Sequence, residues 1–495
     1  MNVLRVIRIS LASLVLIAAC LLFLDFTGSA TPLLGWVAKL QLVPALLALH
    51  VGVVLLLLLL TLLFGRLYCS VLCPLGLVQD LIARLAKRIN KKRKYSYQPP
   101  RSILRYSVLA IFALSMIFGV ASIVVLLDPY SAFGRIVTNI LSPLYRTANN
   151  SLALLAERVD SYAIYSTELI LASGIGVTVA LLTLALVGYM AWRWGRSYCN
   201  TICPVGTLLG AVSKFSLFKI VIDPERCNGC RKCVRECKSS CITPEDRKVD
   251  YSRCVSCFDC IDSCSQGAVG YVWRGSAKKE LSTKVDSSRR EMLSVSAALL
   301  TTTLLKAEEK MVDGGLAIIE DKQIPERATR IVPAGAQSLR NFARHCTGCQ
   351  LCVSACPNHV LRASTDLKTF MQPEVSFERG YCRPECNRCS QVCPTGAIEP
   401  IDISEKSATQ IGRAVVVEKN CVVLTDKVEC GNCARHCPVG AITMVEAEDK
   451  KKYGRRKIPV VNVERCIGCG ACENLCPARP FSAIYVEGHA VHKTV

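Results

Sequence analysis

Eight of the nine cysteines from Cys227 to Cys264 limit what this chain can fold into more tightly than any other feature. Cys227, Cys230, Cys233 and Cys237 are followed by Cys254, Cys257, Cys260 and Cys264 at the same internal spacing, C-x2-C-x2-C-x3-C in both cases. Three thiolates on one tight loop, here containing Asn228-Gly229, can face three irons of a cubane, while the fourth of such a run serves the other cluster. The spacing assigns Cys227, Cys230, Cys233 and Cys264 to one 4Fe-4S cluster and Cys254, Cys257, Cys260 and Cys237 to a second. Two identical runs back to back match neither a tetrathiolate zinc site nor the disulfide framework of a small secreted scaffold.

The cysteines resume downstream as four further runs, each closed by proline. They are Cys346, Cys349, Cys352 and Cys356; Cys382, Cys386, Cys389 and Cys393; Cys421, Cys430, Cys433 and Cys437; and Cys466, Cys469, Cys472 and Cys476. Two depart from the regular spacing, Cys382-x3-Cys386 and Cys421-x8-Cys430, but a longer first loop can still deliver a thiolate. The crossed pairing groups Cys346, Cys349 and Cys352 with Cys393, and Cys382, Cys386 and Cys389 with Cys356. It likewise groups Cys421, Cys430 and Cys433 with Cys476, and Cys466, Cys469 and Cys472 with Cys437. The expectation is six 4Fe-4S clusters. Cys241 is a spare thiol beside the first array.

Ahead of the clusters the chain is apolar, and a hydrophobic content of 51% over 495 residues is too high for a soluble protein of this size. Four stretches read as transmembrane helices: Val6 to Phe26, Leu42 to Phe64, Ser107 to Leu127 and Leu169 to Met190. Between the second and third lie Arg84, Lys87, Arg88, Lys91, Lys92, Arg93, Lys94, Arg101 and Arg105 with no acid after Asp80, which puts that loop and Cys227 on the cytoplasmic side. An interfacial helix is expected near Ser151 to Val159 in the outer loop. The formal charge of +21 does not call for nucleic acid: six clusters carrying about two negative charges each would bring it to roughly +9.

An internal repeat follows the second and fourth stretches. Gly65-Arg66-Leu67-Tyr68-Cys69 through Cys73-Pro74 matches Gly195-Arg196-Ser197-Tyr198-Cys199 through Cys203-Pro204 at a constant offset. Two helix pairs related by pseudo-symmetry would bring Cys69, Cys73, Cys199 and Cys203 together near the cytoplasmic interface; each pair, at i and i+4, lies on one helical face if the segment is helical, and the proline then turns the chain. Three readings stand: an additional iron-sulfur centre, redox-active thiols, or buried structural cysteines. Arg66 and Arg196 read as snorkelling interface residues, with tuning of the centre as the alternative. Farther on, Arg289-Arg290 ahead of the apolar run Ser294 to Leu305 has the form of a twin-arginine export signal, although an interfacial helix has the same composition.

The fold class expected is an α-helical membrane module, with four transmembrane helices and a fifth as a candidate, plus small α+β ferredoxin domains of the bacterial two-cluster type. The boundaries are 1–218 for the membrane module, 219–275 for a two-cluster domain, 276–332 for a linker with the arginine pair, and 333–495 for a four-cluster domain. Residues 1 to about 273 resemble NapH, the membrane subunit of the ferredoxin-type quinol dehydrogenases of periplasmic nitrate reduction. Residues from 288 onward are similar to the NapG and MauM ferredoxins. The resemblance implies a multi-pass protein of the bacterial inner membrane that oxidises quinol at a site served by Cys69, Cys73, Cys199 and Cys203. Electrons would then pass to a terminal reductase or cytochrome, with the first ferredoxin cytoplasmic and the last periplasmic. Two other readings remain: an assembly or regulatory protein of the FixG/CcoG or NosR type, and a cytoplasm-facing ferredoxin array on a membrane anchor. The short outer loop has no room for the flavin domain of the NosR type.

Overall fold

A computed structural model describes residues 3–25, 27–90, 94–161, 163, 165–167, 174–274, 312–313, 317–318, 322–447 and 456–494. Arg289, Arg290 and the run from Ser294 to Leu305 lie outside them. The helix Val3–Leu24 has the inverted pattern of a chain in lipid. Its interior face carries Ala12, Val15, Ala18 and Ala19, while Ile7, Leu11, Leu14, Ile17 and Leu21 are half exposed. The helix Gly174–Trp194 repeats this, with Gly176, Ala180, Val187 and Ala191 buried and Leu181, Leu182 and Leu186 outside. Small residues let the backbones approach, and large apolar ones facing outward suit a lipid environment.

These two helices are long and apolar enough to cross a membrane, and a third candidate is the pair Ala121–Leu127 and Pro129–Glu157, bent by 73°. The expectation of four uninterrupted spans is therefore corrected. The Leu42 to Phe64 stretch is split into Leu42–Leu47 and Val51–Phe64 at Leu49, whose φ is +54°. The Ser107 to Leu127 stretch is split by Gly119 in the left-handed conformation, which ends Ser102–Phe118. Leu169 to Met190 instead becomes Gly174–Trp194, with 168–173 outside the described residues. The outer segment holds more than the interfacial helix expected of it. Asp128 caps Pro129–Ile136 through the Tyr130 and Ser131 amides, and that helix runs through a π-helical turn, Val137–Leu141, into Ser142–Glu157. Tyr130, Phe133 and Arg135 on it are fully buried.

Beyond the membrane module, Phe218–Ile222 pairs antiparallel with Val269–Trp273 and closes the first ferredoxin fold around the short helices Lys232–Glu236 and Asp259–Ser263. In the last third, Thr409–Val416 pairs with Ile484–Thr494, Leu361–Ala363 with Pro373–Val375, and Ile442–Glu446 with Lys457–Val461.

The two ferredoxin regions dock at opposite ends of the Val3–Leu24 helix. At its start, Arg5 pairs with Asp259 at 3.0 Å and with Asp262, both in the first ferredoxin. At its end, Phe23 packs on Tyr130 and Phe133 at centroid distances of 5.8 and 5.9 Å, beside the loop that carries Cys349. Arg5 and Phe23 are about 27 Å apart along a helix of this rise. Asp80 is the joint at the first end. Its carboxylate takes Arg196 at 2.7 Å, Lys238 of the ferredoxin at 2.9 Å and Arg8 at 3.1 Å, all buried. Burial alone would raise this carboxyl, but Arg196, Lys238 and Arg8 outweigh it and hold it well below the usual carboxylate range. Because the folded value is depressed, this contribution to stability is present above about pH 4 and is lost only as the pH falls toward that lower value.

Two outcomes follow. Asp80→Asn removes the carboxylate of Arg8 and Arg196 and leaves Lys238 with Asp259 alone, at 3.1 Å, and should cost about 3–5 kcal/mol, read as a lowered unfolding temperature of the detergent-solubilised protein. At the other end, a β-carbon on Gly134 would lie 2.2 Å from the Cys349 carbonyl oxygen and 2.8 Å from the Phe23 ring. Gly134→Val should therefore loosen the last ferredoxin from the membrane module by about 1–3 kcal/mol, seen as faster proteolytic release of the fragment from 322 onward.

Candidate iron-sulfur sites and the cysteine quartet between them

Four of the six cysteine runs share one loop conformation. The residues flanking the second cysteine both have positive φ: Gly229 and Arg231, Ser256 and Phe258, Gly348 and Gln350, Gly468 and Gly470. A non-glycine side chain at φ +56° or +61°, as at Arg231 and Phe258, is strained backbone that the surroundings must enforce. That conformation turns successive amides inward and makes a concavity suited to an anionic group. The two irregular runs lack it: Asn387 has φ −119° and Gly431 φ −167°.

The loops bring the cysteines together in the crossed grouping. Cys237 shares a closed cavity with Cys254, Cys257 and Cys260. Cys356 lines one with Cys382, Cys386 and Cys389, and Cys437 lines another with Cys466, Cys469 and Cys472. The Cys352 thiol feels the charges of Cys349, Cys346 and Cys393, and the Cys433 thiol those of Cys430, Cys476 and Cys421. Cys233 feels Cys227 and Cys230, and Cys264 packs on the same core. Backbone amides donate to several of these sulfurs, as from Gly348 to Cys346 at 3.4 Å, Ala441 to Cys437 at 3.2 Å and Ala483 to Cys476 at 3.3 Å.

Among the described residues no three His, Cys, Asp or Glu side chains close on a site for a single ion. Thiolates around one zinc would sit within about 4 Å of each other, whereas those around a four-iron cubane stand farther apart. Burial pushes the Cys257 thiol up to about 12 and the Cys352 thiol well above its ordinary value, whereas hydrogen bonds, first that from the Cys241 thiol, bring Cys237 in the cavity it shares with Cys257 down to about 7. The residues present fit 4Fe-4S clusters. Cys241 is buried against the first array, its sulfur 3.6 Å from that of Cys237 and lining the same cavity.

Cys69, Cys73, Cys199 and Cys203 are all buried, and the Cys203 thiol feels the charges of Cys199, Cys73 and Cys69. The helical-face expectation needs correction here. Cys69 lies in Leu67–Val71 and Cys199 in Ser197–Thr201, but Cys73 and Cys203 are extended N-caps of the next helices, Pro74–Ile89 and Pro204–Ser213. A residue before proline is pushed out of the helical region, so each pair is split by a bend. Arg66 and Arg196 do not snorkel: both are wholly buried, and each crosses to the other repeat. Arg66 donates to Asn200 Oδ1 at 2.8 Å and to the Cys199 carbonyl at 3.2 Å, with the Cys69 sulfur 3.8 Å away; Arg196 donates to the Cys69 carbonyl at 2.6 Å. The exchange is the pseudo-two-fold relation in atomic form. Gln79 donates to the Cys199 sulfur at 3.2 Å.

Toward the far ferredoxin, the quartet is followed by Tyr198 and Arg135. Arg135 is within electrostatic reach of both Tyr198 and Cys349, and Tyr130 of both Cys349 and Cys393. The repeat in the sequence signals the quartet, but nothing in the sequence flags Asp128, Tyr130 or Arg135, because the segment reads as an ordinary outer loop.

A family described as a 4Fe-4S binding domain matches residues 46–93 and 175–222, the two halves of the repeat, and a 4Fe-4S dicluster domain matches 345–397 and 428–479. An uncharacterized protein of Methanocaldococcus jannaschii is 34% identical over 106 residues, which are 21% of this chain and 42% of that protein. The chain thus spans less than half of that relative's length. The ferredoxin-type protein NapG of Escherichia coli is 28% identical over 33% of this chain and 75% of its own. The methylamine utilization ferredoxin-type protein MauM of Methylophilus methylotrophus is 32% identical over 33% of this chain and 72% of its own. No solved structure matches the chain. With nearly three quarters of a MauM protein aligned at that identity, this iron-sulfur electron-transfer chain belongs to the MauM family of ferredoxin-type proteins.

Proposed function

We propose that the protein is a membrane-bound quinol dehydrogenase component that passes electrons from membrane quinol, through six 4Fe-4S clusters, to a terminal reductase or cytochrome on the other side of the bilayer. The observation that carries this reading is the placement of two ferredoxin regions at opposite ends of one apolar helix, with four buried cysteines between them. A cytoplasm-facing array on a membrane anchor would have no use for that arrangement. The basic loop after Ile89 puts the first ferredoxin in the cytoplasm by the charge bias, and the second then faces the periplasm, in keeping with the export-like arginine pair.

When bound, 4Fe-4S clusters exchange single electrons at potentials set by hydrogen bonds and burial. The chain's own contribution is to arrange them. Cys227, Cys230, Cys233 and Cys264, with Cys254, Cys257, Cys260 and Cys237, would hold the cytoplasmic pair. The four crossed groups from Cys346 to Cys476 would hold the rest, and Cys69, Cys73, Cys199 and Cys203 would hold an additional centre at the step nearest the quinone. Arg66, with no carboxylate on it among the described residues, and Arg196, paired with Asp80, are buried beside the quartet and would supply the positive charge that an anionic centre there requires. Amide donation to Cys346, Cys437 and Cys476 would make reduction of clusters held by those thiolates easier.

Replacing Cys69, Cys73, Cys199 and Cys203 together by serine should abolish quinol oxidation, remove about four irons per chain, and leave the ferredoxin signals in the electron paramagnetic resonance spectrum. Unchanged quinol turnover in that variant would sink the assignment. A protease-sensitive tag after Val495 should be digested in intact spheroplasts; protection until lysis would return all six clusters to the cytoplasm and the acceptor with them.

A further inference from the structure

Five cysteines line the cavity of the second cluster, one more than its crossed group supplies: Cys241 stands there with Cys237, Cys254, Cys257 and Cys260. Cys241 is 1% exposed, its sulfur lies 3.6 Å from that of Cys237, and the Cys254 sulfur is within hydrogen-bonding reach as well. With metal to sulfur bonds of about 2.3 Å, two sulfurs at that separation fall within reach of one metal, whereas thiolates on different corners of a cubane stand farther apart. A four-iron cubane takes one thiolate per iron. Cys237 and Cys241 therefore face a single corner, and one of them holds it at a time.

The chain sets Cys241 apart from the corresponding residue of the other runs. Four positions after the last cysteine of a run stand Ala268, Ala397 and Ala441, with Val360 and Pro480 in the remaining two. The local backbone corresponds: Ser240, at φ +49°, takes the left-handed place of Gly267, Gly396 and Gly440, and the Cys241 amide donates to the Cys237 sulfur as the Ala441 amide does to that of Cys437. A thiol thus stands where three of the other runs have a methyl group. The two cysteines are also anchored differently. Lys238, next to Cys237, is held by Asp80 and Asp259, and its carbonyl accepts from the Arg196 amide, so the membrane module fixes Cys237. Cys241 is fixed within the ferredoxin, its carbonyl accepting from the Asp250 amide at 2.8 Å beside the bridge between Ile242 and Val249.

We propose that Cys241 is an alternative fourth ligand of the cluster held by Cys254, Cys257 and Cys260, exchanging with Cys237 at one iron. In the exchange the bond from that iron to the Cys237 sulfur breaks, the bond to the Cys241 sulfur forms, and the Cys241 proton passes to Cys237 across the contact between them; no electron moves. The ferredoxin then keeps this cluster when the membrane module does not hold Cys237 in place. The proposal rests on the reading of 227–264 as a two-cluster ferredoxin.

The test is the iron content and electron paramagnetic resonance spectrum of the purified full-length protein in detergent. Cys237→Ala and Cys241→Ala should each stay within about one iron per chain of the unaltered protein, and the double variant Cys237→Ala/Cys241→Ala should lose about four irons and one ferredoxin signal. Equal iron and identical spectra in Cys237→Ala and the double variant overturn the proposal, whatever level they share. If the alanine variants do not accumulate, Cys237→Ser, close in size to the native residue, is compared with Cys237→Ser/Cys241→Ala, and identity of those two overturns it in the same way. Cys257→Ala, a ligand outside the pair, should lose the cluster by itself; unchanged iron and spectrum in that variant overturn the two-cluster reading rather than the exchange.

Discussion

One carboxylate, that of Asp80, holds three parts of the molecule in register. Arg8 belongs to the N-terminal helix, Arg196 to the second repeat and Lys238 to the first ferredoxin, and each reaches Asp80 within 3.1 Å in the buried interior. Several kcal/mol of desolvation per ion must be returned by attraction and hydrogen bonding, which succeeds only if every partner is in place. Assembly of the module is therefore all-or-none around this point. The same interior carries more cations than it balances: Arg66 and Arg105 donate instead to the Ser252 carbonyl of the ferredoxin, at 3.0 and 3.1 Å. A buried surplus of positive charge next to two sets of cysteines is the electrostatic setting in which anionic clusters are held at low cost.

The far end of the module is held differently. There the contact is packing, with Gly134 against the Cys349 backbone and Phe23 against Tyr130 and Phe133, supported by the Asn139 to Gln350 hydrogen bond at 2.7 Å. The bent segment through Asp128 shortens the gap by carrying Arg135 between Tyr198 and Cys349.

The cluster chemistry was legible because ligand spacing is local: a cubane is gripped by three thiolates on one loop, and the loop length is written in the cysteine positions. Even the crossed fourth partner, Cys237 with the Cys254 group or Cys437 with the Cys466 group, follows from that spacing. The membrane module was misread in a specific way. Hydropathy sums side chains and does not register backbone breaks, so Leu49 and Gly119 divided two stretches that are apolar throughout. The arginines of the repeat were misplaced for a related reason, since an arginine after an apolar helix looks like an interface residue unless its partner across the pseudo-two-fold is known.

The sequence by itself determined which cysteines can act together, that much of the chain must face lipid, and that two halves of the membrane module are copies. Each of these follows from a pattern confined to a few turns of chain. The tertiary structure decided that the copies exchange arginines, that Asp80 joins three elements, and that the ferredoxin regions stand at opposite ends of one helix. Those relations link residues far apart in the chain, more than a hundred positions between Asp80 and Arg196 or Gly134 and Cys349, and they are set by packing and charge balance in a shared interior.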